Sequence, residues 1–107
     1  MITRIVRLSF KKEYVVDFIN AFNASKVQIC SFPGCTNLRL YKDFSDDTIF
    51  YTHSKWNSME DLENYRKSEL FAATWSVVKP LFNESPQVYS LVESIHSPEA
   101  SLALAPN

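Results

Sequence analysis

Between Ile49 and Phe82 the chain passes from a strand directly into helix, with no spacer. The run IFYTHSKW has strand composition and ends in a tryptophan, Trp56. A helix start follows at once, with Ser58 as N-cap and Glu60 and Asp61 in the first turn, where carboxylates favour the helix dipole. Two amphipathic segments come next, about 58–67 and 69–80, separated by Ser68. Leu62 and Tyr65 mark the inward face of the first, and Phe71, Trp75, Val78 and Phe82 that of the second. Pro80 lacks an amide donor and should end or kink the helix near Lys79.

The remaining elements arrange themselves around this core stretch. Residues 2–10 alternate: Ile2, Val6, Leu8 and Phe10 share a parity with Arg4, and Thr3, Arg7 and Ser9 share the other with Ile5. Residues 12–28 read as a helix on Val15, Phe18, Ile19 and Phe22, with Val16 and Val27 widening the stripe. Ser31-Phe32-Pro33-Gly34 is a turn in which Gly34, the only glycine, supplies positive φ. Residues 36–44 form a second strand with Leu38, Leu40 and Phe44 on one face. A Ser45-Asp46-Asp47 hairpin turn leads to the third strand at 48–56, and residues 87–96 form the fourth. The order is β-α-β-β-α-β, a ferredoxin-like α+β domain over residues 1–96 with an antiparallel sheet. Residues 97–107 form a C-terminal tail.

Both helices then cover one face of the sheet. The other face carries Ile49, Tyr51, Tyr89, Leu91 and Ile95, too much apolar surface to leave in water. Two sheets packed face to face would cover it, which predicts a homodimeric α/β barrel.

Composition excludes several functions. The 107 residues make one domain. The net charge of -1, with basic residues scattered, gives no footprint for nucleic acid or an anionic membrane. Arg4 and Arg7 break the apolar run of the N-terminus, which is not a signal peptide, and no stretch is long enough to span a membrane. A cytoplasmic location follows by default, with Cys30 and Cys35 as free thiols or, alternatively, a local disulfide. The dinucleotide, phosphate-loop, nucleophile-elbow and zinc-protease motifs are absent. Neither a metal set nor a cofactor is expected. What remains is cofactor-free chemistry, an open ligand pocket, or no chemistry.

The candidates for such a site are few. Trp56 stands where a pocket wall between helices and sheet would lie, or else packs in the core. His53, on the opposite parity, is a candidate general base or an interface histidine. His96 ends the last strand and is read as solvent-exposed. Arg39 sits mid-strand between two leucines and, with Arg7, could stabilise an enolate or phenolate. Tyr65 and Tyr41 offer phenols, and Phe71, Trp75 and Phe82 form either core or the walls of a flat-ligand site.

Three segments in order — Phe32-Pro33-Gly34, then Trp56 with Ser58, then Tyr65-Arg66-Lys67-Ser68 with Phe71 — resemble the antibiotic biosynthesis monooxygenase family, and the likeness spans about residues 2–92. It implies a dimeric α+β barrel and cofactor-independent oxidation of phenols to quinones, the substrate itself supplying the electrons. In the polyketide-tailoring branch an Asn and a Tyr flank the Trp, and here Thr52 and Leu62 hold those positions. In the haem-degrading branch Tyr65 falls at a Trp position, Trp75 at the iron-ligating His and Val6 near a catalytic Asn. Indole is no ordinary axial ligand, so haem degradation is not expected. The expected function is thus oxidation of a small quinol or phenol. His53 and Arg39 would be catalytic residues, and Trp56, Thr52, Tyr65, Phe71 and Trp75 substrate-binding ones. The alternatives are a non-catalytic dimeric ligand-binding or stress-response module on the same fold, or a small-molecule isomerase.

Overall fold

A computed structural model describes residues 1–95; His96 and the 97–107 tail lie outside the described residues. The order is β1 (Ile2–Ser9), α1 (Val15–Cys30), β2 (Cys35–Lys42), β3 (Ile49–Trp56), α2 (Met59–Arg66), α3 (Glu69–Val78) and β4 (Gln87–Leu91). Single turns of tight helix precede α1 at Lys12–Tyr14 and follow α3 at Lys79–Leu81. The strands form one antiparallel sheet in the order β2-β3-β1-β4, the ferredoxin-like arrangement.

Register decides which side chains meet the helices. β1 pairs with β3 from Ile2↔Trp56 to Ser9↔Ile49, so even positions of both strands share a face. That face is the buried one, carrying Leu8, Phe50, Ser54 and Trp56. Odd positions fall on the other face. There Arg39, His53, Ile5 and Tyr89 form one row across the sheet, and Tyr41, Tyr51, Arg7 and Gln87 the next. Tyr41, Tyr89 and Leu91 on this face are each about half exposed. The apolar open face expected from the two-parity pattern is therefore present.

Local chemistry sets the helix ends. Ser58 Oγ accepts the Asp61 amide at 3.1 Å and starts α2. Ser68 Oγ accepts the Phe71 amide at 3.1 Å and donates to the Tyr65 carbonyl at 2.6 Å. One hydroxyl thus starts α3 and closes α2. Gly34 has φ +90, and its carbonyl accepts the Asn57 amide at 2.8 Å, which ties the turn before β2 to the end of β3. A Cβ at Gly34 would collide with the Asp61 side chain.

Three expectations need correction. The fourth strand ends at Leu91 instead of running over 87–96, because Leu91 already pairs with Thr3 near the start of β1, so Ile95 does not lie on the sheet. Val16 and Val27 do not widen the buried stripe of α1 but are exposed. At about 100° per residue each lies roughly 180–200° from buried Phe18. Phe44 does not continue the Leu38–Leu40 face. β2 ends at Lys42, and Asp43 Oδ2 accepts the amides of Ser45 and Asp46, turning the chain and leaving Phe44 103% exposed.

The apolar interior is divided. One cluster joins Leu8, Phe10, Phe18, Phe50 and Val78, and the other joins Ile29, Trp56, Leu62 and Tyr65.

Candidate functional site

Between the two clusters lies a cavity of about 390 Å³. Its sheet side is made by helix-facing residues, Arg4, Val6 and Leu8 of β1, and Thr52, Ser54 and Trp56 of β3. Its helix side comes from Phe18, Phe22 and Ile29 of α1, Tyr65 and Arg66 of α2, and Phe71 and Trp75 of α3. Val88 of the edge strand also reaches it. The walls are mainly apolar, with a few polar groups among them, the usual make-up of a small-molecule site.

The aromatic residues form a connected wall. Trp56 and Tyr65 stack with centroids 4.9 Å apart. Tyr65 meets Phe71 edge-on at 5.3 Å, and Phe71 lies nearly parallel to Trp75 at 6.0 Å. Phe32 supports the pair from behind, edge-on to both Trp56 and Tyr65. Trp56 is 0% exposed to water, and its indole N–H donates to Ser54 Oγ at 3.0 Å. The two readings of this tryptophan are therefore compatible, since it packs in one core cluster and also walls the cavity.

The polar groups differ in what they hold. Ser54 is engaged by Trp56, and Ser25 donates to the Ala21 carbonyl at 3.0 Å. Among the described residues, the Thr52 and Tyr65 hydroxyls have no hydrogen-bond partner. Burial pushes the Tyr65 phenol up to about 12, against a smaller opposing pull from the Arg4 charge. Burial, and then the nearby Arg66 charge, push the Arg4 guanidinium down from its ordinary value. Burial also raises the Cys35 thiol, whose Sγ donates to the Asn37 carbonyl at 3.5 Å. Cys30 and Cys35 are both free thiols.

Five of the seven expected site residues come together here: Trp56, Thr52, Tyr65, Phe71 and Trp75. His53 and Arg39 do not join them. They are register partners on the opposite face of the sheet, with the Tyr41 ring edge-on to His53 at 6.3 Å. Odd numbering places them there, because side chains alternate along a strand. His53 Nδ1 is buried without a hydrogen-bond partner among the described residues. Arg7 is on that face too, ion-paired with Glu84 at 3.6 Å. The residues that sequence reasoning missed are Arg4 and Arg66. The signal for Arg4 was present: a lone charge on the parity otherwise occupied by Ile2, Val6, Leu8 and Phe10. Arg66 follows Tyr65 by one helical step and carried no such mark. No group of three His, Cys, Asp or Glu side chains gathers as a metal site among the described residues. No described helix is long and apolar enough to cross a membrane.

The model of the family "Antibiotic biosynthesis monooxygenase" matches residues 1–75. No curated protein sequence matches the chain. Similar solved structures include an antibiotic biosynthesis monooxygenase, 16% identical with a TM-score of 0.83, the match covering 89% of this chain and 100% of that one. A conserved protein from Methanosarcina mazei Go1 is 16% identical with a TM-score of 0.82, covering 88% and 94% respectively. A protein from Mycobacterium tuberculosis is 15% identical with a TM-score of 0.82, covering 91% and 98%. At these identities the structural likeness bears on the fold.

Proposed function

The chain belongs to the antibiotic biosynthesis monooxygenase family, and on that premise we propose that it is a cofactor-independent monooxygenase of a small electron-rich aromatic, a quinol or phenol. The observation that carries this reading is the 390 Å³ cavity walled by Trp56, Tyr65, Phe71 and Trp75. A flat ring fits against such a wall by stacking and edge contacts. In this reading the Thr52 hydroxyl bonds a ring oxygen. A phenol and O2 yield a quinone and water, and every electron comes from the substrate. The protein's task is to orient the ring, exclude water and stabilise the phenolate by charge. His53 and Arg39 lie behind the sheet from this cavity, so they serve the open face rather than the reaction. The open face packs on a second copy, giving a homodimer that works in the cytoplasm.

Oxygen uptake on metal-free and flavin-free protein, with a panel of quinols and naphthols, tests the proposal. Turnover that saturates with substrate is expected, and Trp56→Phe should change its rate while the protein stays folded. One observation favours a second reading, a ligand-binding module without turnover. The titratable groups in the cavity are Arg4, Arg66 and Tyr65, and Tyr65 is shifted to about 12. A guanidinium offers no acceptor, and a phenol that keeps its proton is no base. Saturable binding with no oxygen consumption would establish the binding reading, and product without oxygen consumption would indicate an isomerase.

A further inference from the structure

Arg4 occupies a position where a helix-and-sheet domain ordinarily has an apolar residue. It lies on the central strand, on the row of Val6 and Leu8, opposite Ser54 on β3 and Ser90 on β4. It lines the cavity rather than the open face. The other two arginines near it in sequence or space are committed. Arg7, on the opposite face, pairs with Glu84, and Arg66 is held by Glu63 at 2.9 Å. Among the described residues Arg4 has no carboxylate at ion-pair distance and no side-chain hydrogen bond. Its charge acts on Tyr65, Arg66 and Glu63. Two guanidiniums against one carboxylate leave a net positive charge at this end of the cavity.

A half-buried cation without a partner is costly, because water is partly withdrawn and nothing replaces it. The same withdrawal strengthens any anion placed there, and a guanidinium presents a planar fork that matches a carboxylate with two parallel bonds. The stacked Trp56–Tyr65 pair lies close by, with Tyr65 near enough to Arg4 for their charges to interact. We propose that Arg4 is an anion-binding point and that the ligand of this cavity is a planar aromatic acid. Its ring lies along the Trp56–Tyr65–Phe71 wall and its carboxylate sits on Arg4. This inference rests on the reading that the cavity takes an aromatic ligand, and it narrows that ligand's class.

Calorimetric titration at pH 7 with two probes of the same ring system, 1-naphthol and 1-hydroxy-2-naphthoic acid, tests it. The acid is expected to bind the wild-type protein at least about tenfold more tightly than the naphthol. Arg4→Gln should bring the two affinities within about twofold of each other, and Arg4→Lys should retain an intermediate preference. Lys12→Gln, an equal change of charge on an exposed residue away from the cavity, should retain the full preference. Should Arg4→Gln fail to fold, the wild-type preference and its reduction in Arg4→Lys decide the matter. Equal affinity for the two probes, or a preference that survives Arg4→Gln, overturns the anion site while leaving an aromatic-binding cavity in place. Failure of both probes to bind overturns both readings.

Discussion

Gly34 and Tyr65 each link a local property to a measurable cost. Gly34→Ala would force a side chain into the left-handed region and against Asp61. The expected loss is about 2–4 kcal/mol, seen as a lower urea midpoint at unchanged slope. Adding Asp61→Gly, which removes the colliding Cβ together with the carboxyl, should recover the part due to collision, read against Asp61→Gly alone, and leave the part due to φ. For Tyr65, burial pushes the phenol up to about 12 in the folded state, from an ordinary 10.0. Its contribution to stability is complete below pH 10 and is lost as the pH rises from 10 to about 12. The loss is roughly 2–3 kcal/mol. Tyr65→Phe should remove that alkaline component, which urea melts at pH 8 and pH 11.5 would reveal. Residue by residue, the site was partly legible. Trp56 and Tyr65 could be placed by strand order and helical spacing, and Thr52 by the family resemblance. Arg4 was visible as an exception to its own row, but only the observed void turned that exception into a site.

Among the elements, α2 and α3 share one side-chain cap. Ser68 both closes one helix and starts the next. Ser68→Ala is expected to cost about 1–2 kcal/mol, with faster amide exchange in the first turn of α3 as its local sign. A fall in stability without that local change would place the effect elsewhere. Element types and order could be read from periodicity together with the cap and turn residues between segments. Their ends were harder to place. Asp43 ends β2 through side-chain bonds to the next amides, and an alternating pattern that runs on to Phe44 carries no trace of this. Val16 and Val27 misled for a different reason. Their composition suits a buried stripe, whereas their angle around the helix does not. The placement of Arg39 required knowledge of the β2–β3 register, in which it stands across from His53.

At the level of the whole molecule, the open sheet face predicts association. Replacing Tyr89 with Glu puts a charge on the edge-strand side of that face, beside Ile5. Sedimentation velocity should show a dimer for the wild-type chain and a monomer for Tyr89→Glu. A wild-type monomer at micromolar concentration would show that the face stays in water. This face could be inferred from sequence because it is a matter of alternation. The cavity could not be, since an unfilled volume depends on how far the helices stand from the sheet. That volume has a thermodynamic consequence. Leu8, Phe18 and Val78 of one core cluster and Ile29, Trp56 and Tyr65 of the other both border it, so the folded chain has a gap where its two halves would otherwise touch. A bound molecule would act as a keystone, giving each half the neighbour it lacks. The empty protein should breathe at α2 and α3 on the timescale read by amide exchange, and saturation at a hundred times Kd should add about 2.7 kcal/mol to its stability.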